Sequence, residues 1–115
     1  QTFAPGVAIV RQGALGTTFF VILEGNVEVA VQRPDRTEAL IERLGPGQFF
    51  GELAILGDGR RMASVRATGG PARVVELGRD DFERIVGSSA EFRAQVERLA
   101  EQRRVAGSGP GEANP

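Results

Sequence analysis

A chain of 115 residues holds one small domain with one core and has no room for a second. Its 14 basic and 15 acidic side chains nearly balance, which gives no electrostatic support to a role on nucleic acid or on a membrane surface. There is no Cys and no His, and every basic residue is Arg, so the ordinary zinc site, the thiol nucleophile, the commonest general base, the Schiff-base amine and the phosphate-loop lysine are excluded. Among enzyme classes, chemistry by paired carboxylates survives on paper.

The opening, QTFAPGVAIVRQG, lacks the basic-then-apolar layout of a signal peptide and reads as a chain entered in mid-domain. No apolar run reaches the ~18 residues of a membrane span. VAIVRQG, TFFVILEG, NVEVAVQR, EALIERL and ARVVEL are short runs rich in Val, Ile, Leu and Phe, and several alternate apolar with polar. Val27, Val29 and Val31 share one face and Glu28 the other, which predicts a half-buried strand. Gly25 and Asn26 predict a tight hairpin, RPDRT a turn after Val31, and TGGPA a turn before ARVVEL. Short strands at this spacing predict a mainly β sandwich, roll or barrel.

From Arg79 the period changes. Phe82, Ile85 and Val86 stand on one stripe of a short helix with Asp80 or Asp81 as its cap. A second helix, over about 89–104, has Ser89 as N-cap and Phe92, Val96 and Leu99 on one side. The residues 107–115 are turn formers without an apolar anchor and are expected to be a flexible tail after a domain at 1–106.

The most unusual stretch is FFGELAILGDGRRMASV, Phe49 to Val65, where one acid and an Arg nine residues later interrupt an oily segment. Gly51 permits close backbone approach, and ELAIL makes about a turn of helix whose first N–H groups are free. Arg61, returning through the GDGR loop, can add a bidentate fork to an anion held there. Glu52 is no anion ligand, but it can accept from a hydroxyl, such as that of a ribose. An acid for a sugar and an Arg for a phosphate point to a nucleotide with both groups close together. Taken alone, the two residues are equally open to a structural salt bridge or to two solvated charges.

This segment resembles the phosphate-binding cassette of the cyclic nucleotide-binding domain family, F-G-E-[LIM]-[AC]-L followed by a loop and R-x-A-[ST]-V. Phe50, Gly51, Glu52, Leu53 and Ala54 fit its first half, with Ile55 where the pattern has Leu. Arg61, Ala63, Ser64 and Val65 fit the second. RQGALGTTFFVILEGNVEV is similar to the family's G-x-x-[DG]-x-x-[FLMY]-[YF] strand pair, and LGPGQFFGE to the approach to the cassette. The resemblance implies an eight-stranded jelly-roll-like β-roll with C-terminal helices, and a regulatory ligand-sensing domain that is not an enzyme and needs no metal. It implies that Glu52 holds the ribose 2′-hydroxyl and Arg61 an exocyclic phosphate oxygen. Gly51, Leu53, Ala54, Met62, Ala63 and Ser64 complete the cassette contacts, with backbone N–H donors near Leu53, Ala54 and Met62. Arg60 is left to solvent.

Met62 stands where some channel and kinase relatives carry Thr, whose hydroxyl favours cGMP. Met has no donor and its thioether is at best a weak acceptor for the guanine amino group, so the expected ligand is cAMP over cGMP; Met62 as mere filling is the other reading. By position the last helix resembles the lid of bacterial cyclic-nucleotide-regulated potassium channels. The likeness implies that Leu99 covers the base and Arg103 stacks on it. Core packing of Val96 and Leu99, and a solvated Arg103–Arg104 pair, remain open. The expected effector is a channel or other module outside this chain, which would bring oligomerisation with it. The chain itself is expected in the cytoplasm, or at the cytoplasmic face of a membrane protein, without nucleic-acid or direct membrane contact. A degenerate β-roll serving as an interaction module without ligand is the alternative.

Overall fold

The computed structural model describes the backbone of residues 1–113 and the side chains of residues 1–105. In chain order the elements are β1 (Thr2–Phe3), β2 (Ala8–Val10), β3 (Phe19–Gln32), β4 (Glu38–Leu44), β5 (Phe49–Phe50), α1 (Glu52–Leu56), β6 (Ser64–Leu77), α2 (Arg79–Gly87) and α3 (Ala90–Ala113). All described pairings are antiparallel. Two long strands, β3 and β6, run side by side and the short ones attach to their edges: β1 and β2 to β6, β4 and β5 to β3.

Where the family resemblance implies eight strands, the described residues form six, because β3 and β6 each pass through a corner without breaking. The hairpin expected at Gly25–Asn26 is not there. Gly25, at φ +84°, is instead the point where β3 bends. Opposite it, the register jumps from Glu24↔Arg73 to Asn26↔Thr68, so TGGPA is a bulge in β6 and not a turn. A Cβ on Gly25 would lie 2.3 Å from the Pro71 carbonyl oxygen, so only glycine lets the two strands cross this closely. A hairpin signal and a corner signal look alike in sequence, since both need a residue at positive φ.

The core falls into two clusters. Val27, Val29, Leu44, Val65, Ala67 and Val74 join Phe20, Ile22 and Phe50 inside the roll. Phe19, Ile55, Phe82, Val86 and Val96 form a second cluster where the helices dock. α2 begins at Arg79 with Gly78 at the N-cap position, two or three residues before the expected cap at Asp80 or Asp81. Asp80 and Asp81 therefore lie in its first turn, where they complement the helix dipole, and do not cap it. Ile85 is 41% exposed, because Phe82 and Val86 alone fill the contact. Ser89 does cap α3, its Oγ accepting from the Phe92 N–H at 3.2 Å. α3 is helical to Ala113, beyond position 104 and into the glycine-rich stretch expected as a tail. Nothing in local propensity accounts for that extension. Of the expected tail at 107–115, the side chains throughout and residues 114–115 altogether lie outside the described residues. Among the described residues no helix is long and apolar enough to cross a membrane.

Candidate ligand pocket

One face of the roll is closed by residues 51–63, an excursion clamped at both ends to β3: Phe50 pairs with Phe20 and Ser64 with Ala30. Gly51, at φ +95°, turns the chain from β5 into α1. On the return, Arg61 N–H donates to the Ala14 carbonyl and its own carbonyl accepts from Gly13 N–H, both at 2.8 Å. These bonds dock the loop of residues 11–18 against the cassette. Gly16 in that loop has no room for a side chain, since a Cβ there would lie 2.5 Å from Arg61 Nη2.

Glu52 and Arg61 are the two buried charged residues of the described chain, 1% and 8% exposed. They do not pair with each other. Arg61 Nη1 donates to the carbonyls of Thr18 (2.8 Å) and Gly51 (3.2 Å), and Nη2 donates to Thr18 Oγ1 (3.2 Å). Its guanidinium carbon lies 5.8 Å from the centre of the Phe20 ring. Burial pulls its pKa below the usual arginine value, opposed by the fields of Glu76 and Glu52. A buried cation held by neutral acceptors keeps its charge uncompensated at short range, which is what an anion site requires.

Glu52 pairs with α3. Arg103 Nη1 donates to Glu52 Oε1 at 2.6 Å, while its Nε donates to Glu42 Oε1 at 3.0 Å and its Nη2 to Glu42 Oε2 at 3.4 Å. The Phe49 ring centre is 5.4 Å from the same guanidinium. Burial lowers the Arg103 pKa, but pairing with Glu52 and Glu42 outweighs it and the net shift is upward. Glu42 reaches the pocket through a β-bulge. Val29 pairs with Glu42 but Ala30 with Leu40, so Ile41 is unpaired and two consecutive residues, Ile41 and Glu42, both line the pocket.

Between these groups lies a cavity of about 50 Å³ lined by Gly51, Glu52, Leu53, Ala54, Arg61, Met62, Ala63 and Arg103, with Val10, Val29, Val31, Ile41, Glu42, Phe50 and Val65 behind. Of the sequence candidates, Ser64 and Leu99 stand apart from this lining. Ser64 Oγ accepts from Gln12 N–H at 3.0 Å, and half-buried Leu99 lies beside the stripe of Val96 and Ala100. Arg60 is exposed. Sequence reasoning did not single out Glu42, Gly16 or Thr18. The apolar doublet Leu40–Ile41 followed by an acid was the available sign of a bulge. Thr18 carried no sign, because half of its contribution is a backbone carbonyl.

The fold is thus an antiparallel β-roll whose cassette buries one carboxylate and one guanidinium, with α3 across the mouth. The chain belongs to the cyclic nucleotide-binding domain family, whose profile matches residues 1–89. It is 35% identical over 97 residues to cGMP-dependent protein kinase, isozyme 1, of Drosophila melanogaster, a match spanning 81% of this chain and 12% of the kinase. It is 36% identical over 90 residues to the cAMP-dependent protein kinase regulatory subunit of Blastocladiella emersonii, covering 78% of this chain and 22% of that one. The regulatory domain of Toxoplasma gondii PKA, crystallised with cAMP, superposes with a TM-score of 0.77 at 31% identity, over 89% of this chain and 38% of that chain. The chain thus spans a minor part of each of these relatives.

Proposed function

We propose that this domain binds a cyclic nucleotide, cAMP in preference to cGMP, and signals by movement of α3. The observation that carries the reading is the buried Arg61, cationic and held by neutral groups only, nine residues after a buried Glu52. Arg61 pairs with an exocyclic oxygen of the phosphate, the free N–H groups at the start of α1 add donors, and Glu52 accepts from the ribose 2′-hydroxyl. Met62, 44% exposed at the pocket edge, offers the guanine amino group only a thioether, at best a weak acceptor. Losing one such contact costs cGMP about 1 kcal/mol, a little under tenfold.

The cavity, at about 50 Å³, is far smaller than the ~300–1,000 Å³ of small-molecule pockets. Arg103 lies across it, so a nucleotide is admitted only when Arg103 and α3 move. The guanidinium then has two uses, on Glu52 and over the purine, and the difference in contacts between the two lid positions is the source of the signal. The effector receiving it lies outside these residues. The resemblance of the lid to potassium-channel sensors suggests a channel, and the kinase relatives suggest a kinase. On this reading the chain works in the cytoplasm and does no chemistry.

One observation favours a second reading: Arg103 already satisfies Glu52, as it would in a roll that has lost its ligand and serves as an interaction module. Calorimetric titration with cAMP and cGMP separates the two. One-to-one cAMP binding with weaker cGMP supports the sensor; equal affinities overturn the preference, and no heat or thermal stabilisation with either overturns the sensor.

A further inference from the structure

Arg61 has five N–H donors, and three are engaged by the protein: both on Nη1, by the Thr18 and Gly51 carbonyls, and one on Nη2, by Thr18 Oγ1. The remaining two, on Nε and Nη2, form one edge of the guanidinium. Gly16 lies against that edge: a Cβ there would be 2.5 Å from Nη2 and 2.7 Å from Nε, so any other residue would cover it. Arginine has no acceptor, so the Thr18 hydroxyl can serve Nη2 only while its own hydrogen points elsewhere.

A hydroxyl carries one hydrogen, and here it is committed. Thr18 Oγ1 donates to Glu76 Oε2 at 2.7 Å. The pairing of Phe20 with Glu76 and Phe19 with Leu77 brings the end of β6 beside the start of β3, so the contact is built into the sheet register. Glu76 thus orients the hydroxyl, and its negative field offsets part of the burial of Arg61. It makes no direct ion pair with Arg61, so the cation is steered without being neutralised.

We propose that Thr18 and Glu76 are positioning residues for Arg61: Glu76 fixes the Thr18 hydroxyl as an acceptor, which holds the guanidinium with its Nε–Nη2 edge presented to one exocyclic oxygen of the cyclic phosphate. This deepens the cyclic-nucleotide reading and rests on it. It names a specific route by which a residue on the outer end of β6 sets affinity in a pocket that it does not line.

The test uses the whole chain. Thr18→Val keeps shape and removes the hydroxyl; Thr18→Ser restores it. In calorimetric titration Thr18→Val should bind cAMP about tenfold more weakly, Glu76→Gln about threefold, and Thr18→Ser within about twofold of the parent. The two phosphorothioate diastereomers of cAMP supply a readout that a merely structural role would not move. One places sulfur where Arg61 binds; the parent should bind it weakly, and Thr18→Val should cost it no more than about twofold. Against the other, Thr18→Val should keep its full effect. Equal losses against both diastereomers, or parent-like cAMP binding by Thr18→Val, would overturn the relay. A ligand-free measurement separates this from the broader reading. Hindered rotation of the Arg61 guanidinium, seen as resolved Nη resonances in nitrogen NMR, should be lost in Thr18→Val and kept in Thr18→Ser; unchanged resonances in Thr18→Val overturn the relay. If the parent binds neither cyclic nucleotide, the sensor reading falls, and the Arg61 resonances alone decide whether the relay exists.

Discussion

Two arginines face one cavity and are held in opposite ways. Arg61, on the cassette, is buried among carbonyls and a hydroxyl; Arg103, on α3, lies between two carboxylates. Each has a phenylalanine ring beneath it, Phe20 for one and Phe49 for the other, so their apolar support is alike. The difference is in charge. Arg61 has no acid in direct contact, so its charge is uncompensated at short range. Arg103 has more acid than it needs and is satisfied by the protein itself. On the proposed reading the same residue type makes a receptor at one end of the cavity and a latch at the other.

The comparison can be broken most forcefully at the latch. Arg103→Ala leaves Glu52, 1% exposed, without its ion partner, and should cost roughly 3 kcal/mol of stability in urea denaturation without ligand. A loss below about 1 kcal/mol would mean that water in the pocket already satisfies the carboxylate. Next in size is the receptor. Arg61→Ala should weaken cAMP binding about a hundredfold, since a charge-assisted contact to phosphate is removed, and a variant that titrates like the parent would sink the cassette assignment. Stability should change less than affinity there, because the acceptors left behind, on half-buried Thr18 and Gly51, can take water.

Two smaller changes sharpen the picture. Glu42→Gln removes one of the two acids on Arg103 but leaves the buried one. Because Glu42 is 28% exposed, the expected cost is about 1 kcal/mol or less, measured in the same denaturation experiment. A loss as large as that of Arg103→Ala would make Glu42 the principal anchor. Met62→Thr should leave cAMP affinity near the parent and raise cGMP affinity by less than about tenfold, read by paired titrations. No change in the ratio would assign base selection to other residues.

What could be read in advance follows the same division. Glu52 and Arg61 stand in a short stretch with a fixed spacing, and the structure buries both in one cavity, so local sequence sufficed to bring them to notice. β4 was legible at its full length, Glu38–Leu44, because its turn residues and apolar run agree. The corner at Gly25 was misread, because positive φ serves a hairpin and a bend equally well. Arg103 was picked out for its place on the last helix, but its contact with Glu42 and Glu52 depends on how α3 docks. That docking is set by Phe82, Val86 and Val96 packing with Phe19, pairs far apart in sequence. The surface cluster of Arg66 with Glu28 and Glu38 was likewise invisible, since three different strands supply it.

The clamping of residues 51–63 onto β3 has a consequence for how this pocket comes into being. β5 and β6 grip one strand at Phe20 and Ala30, and β6 reaches it only after the whole cassette has been laid down. Pairing over that sequence distance is slow compared with forming a helix or a hairpin. A growing or partly unfolded chain therefore carries Glu52 and Arg61 without a binding site, and no fragment ending before β6 can recover one. Whatever occupies the cavity distinguishes the finished fold from every intermediate. Its binding free energy should then appear undiluted as protection against global unfolding, rising with the logarithm of ligand concentration.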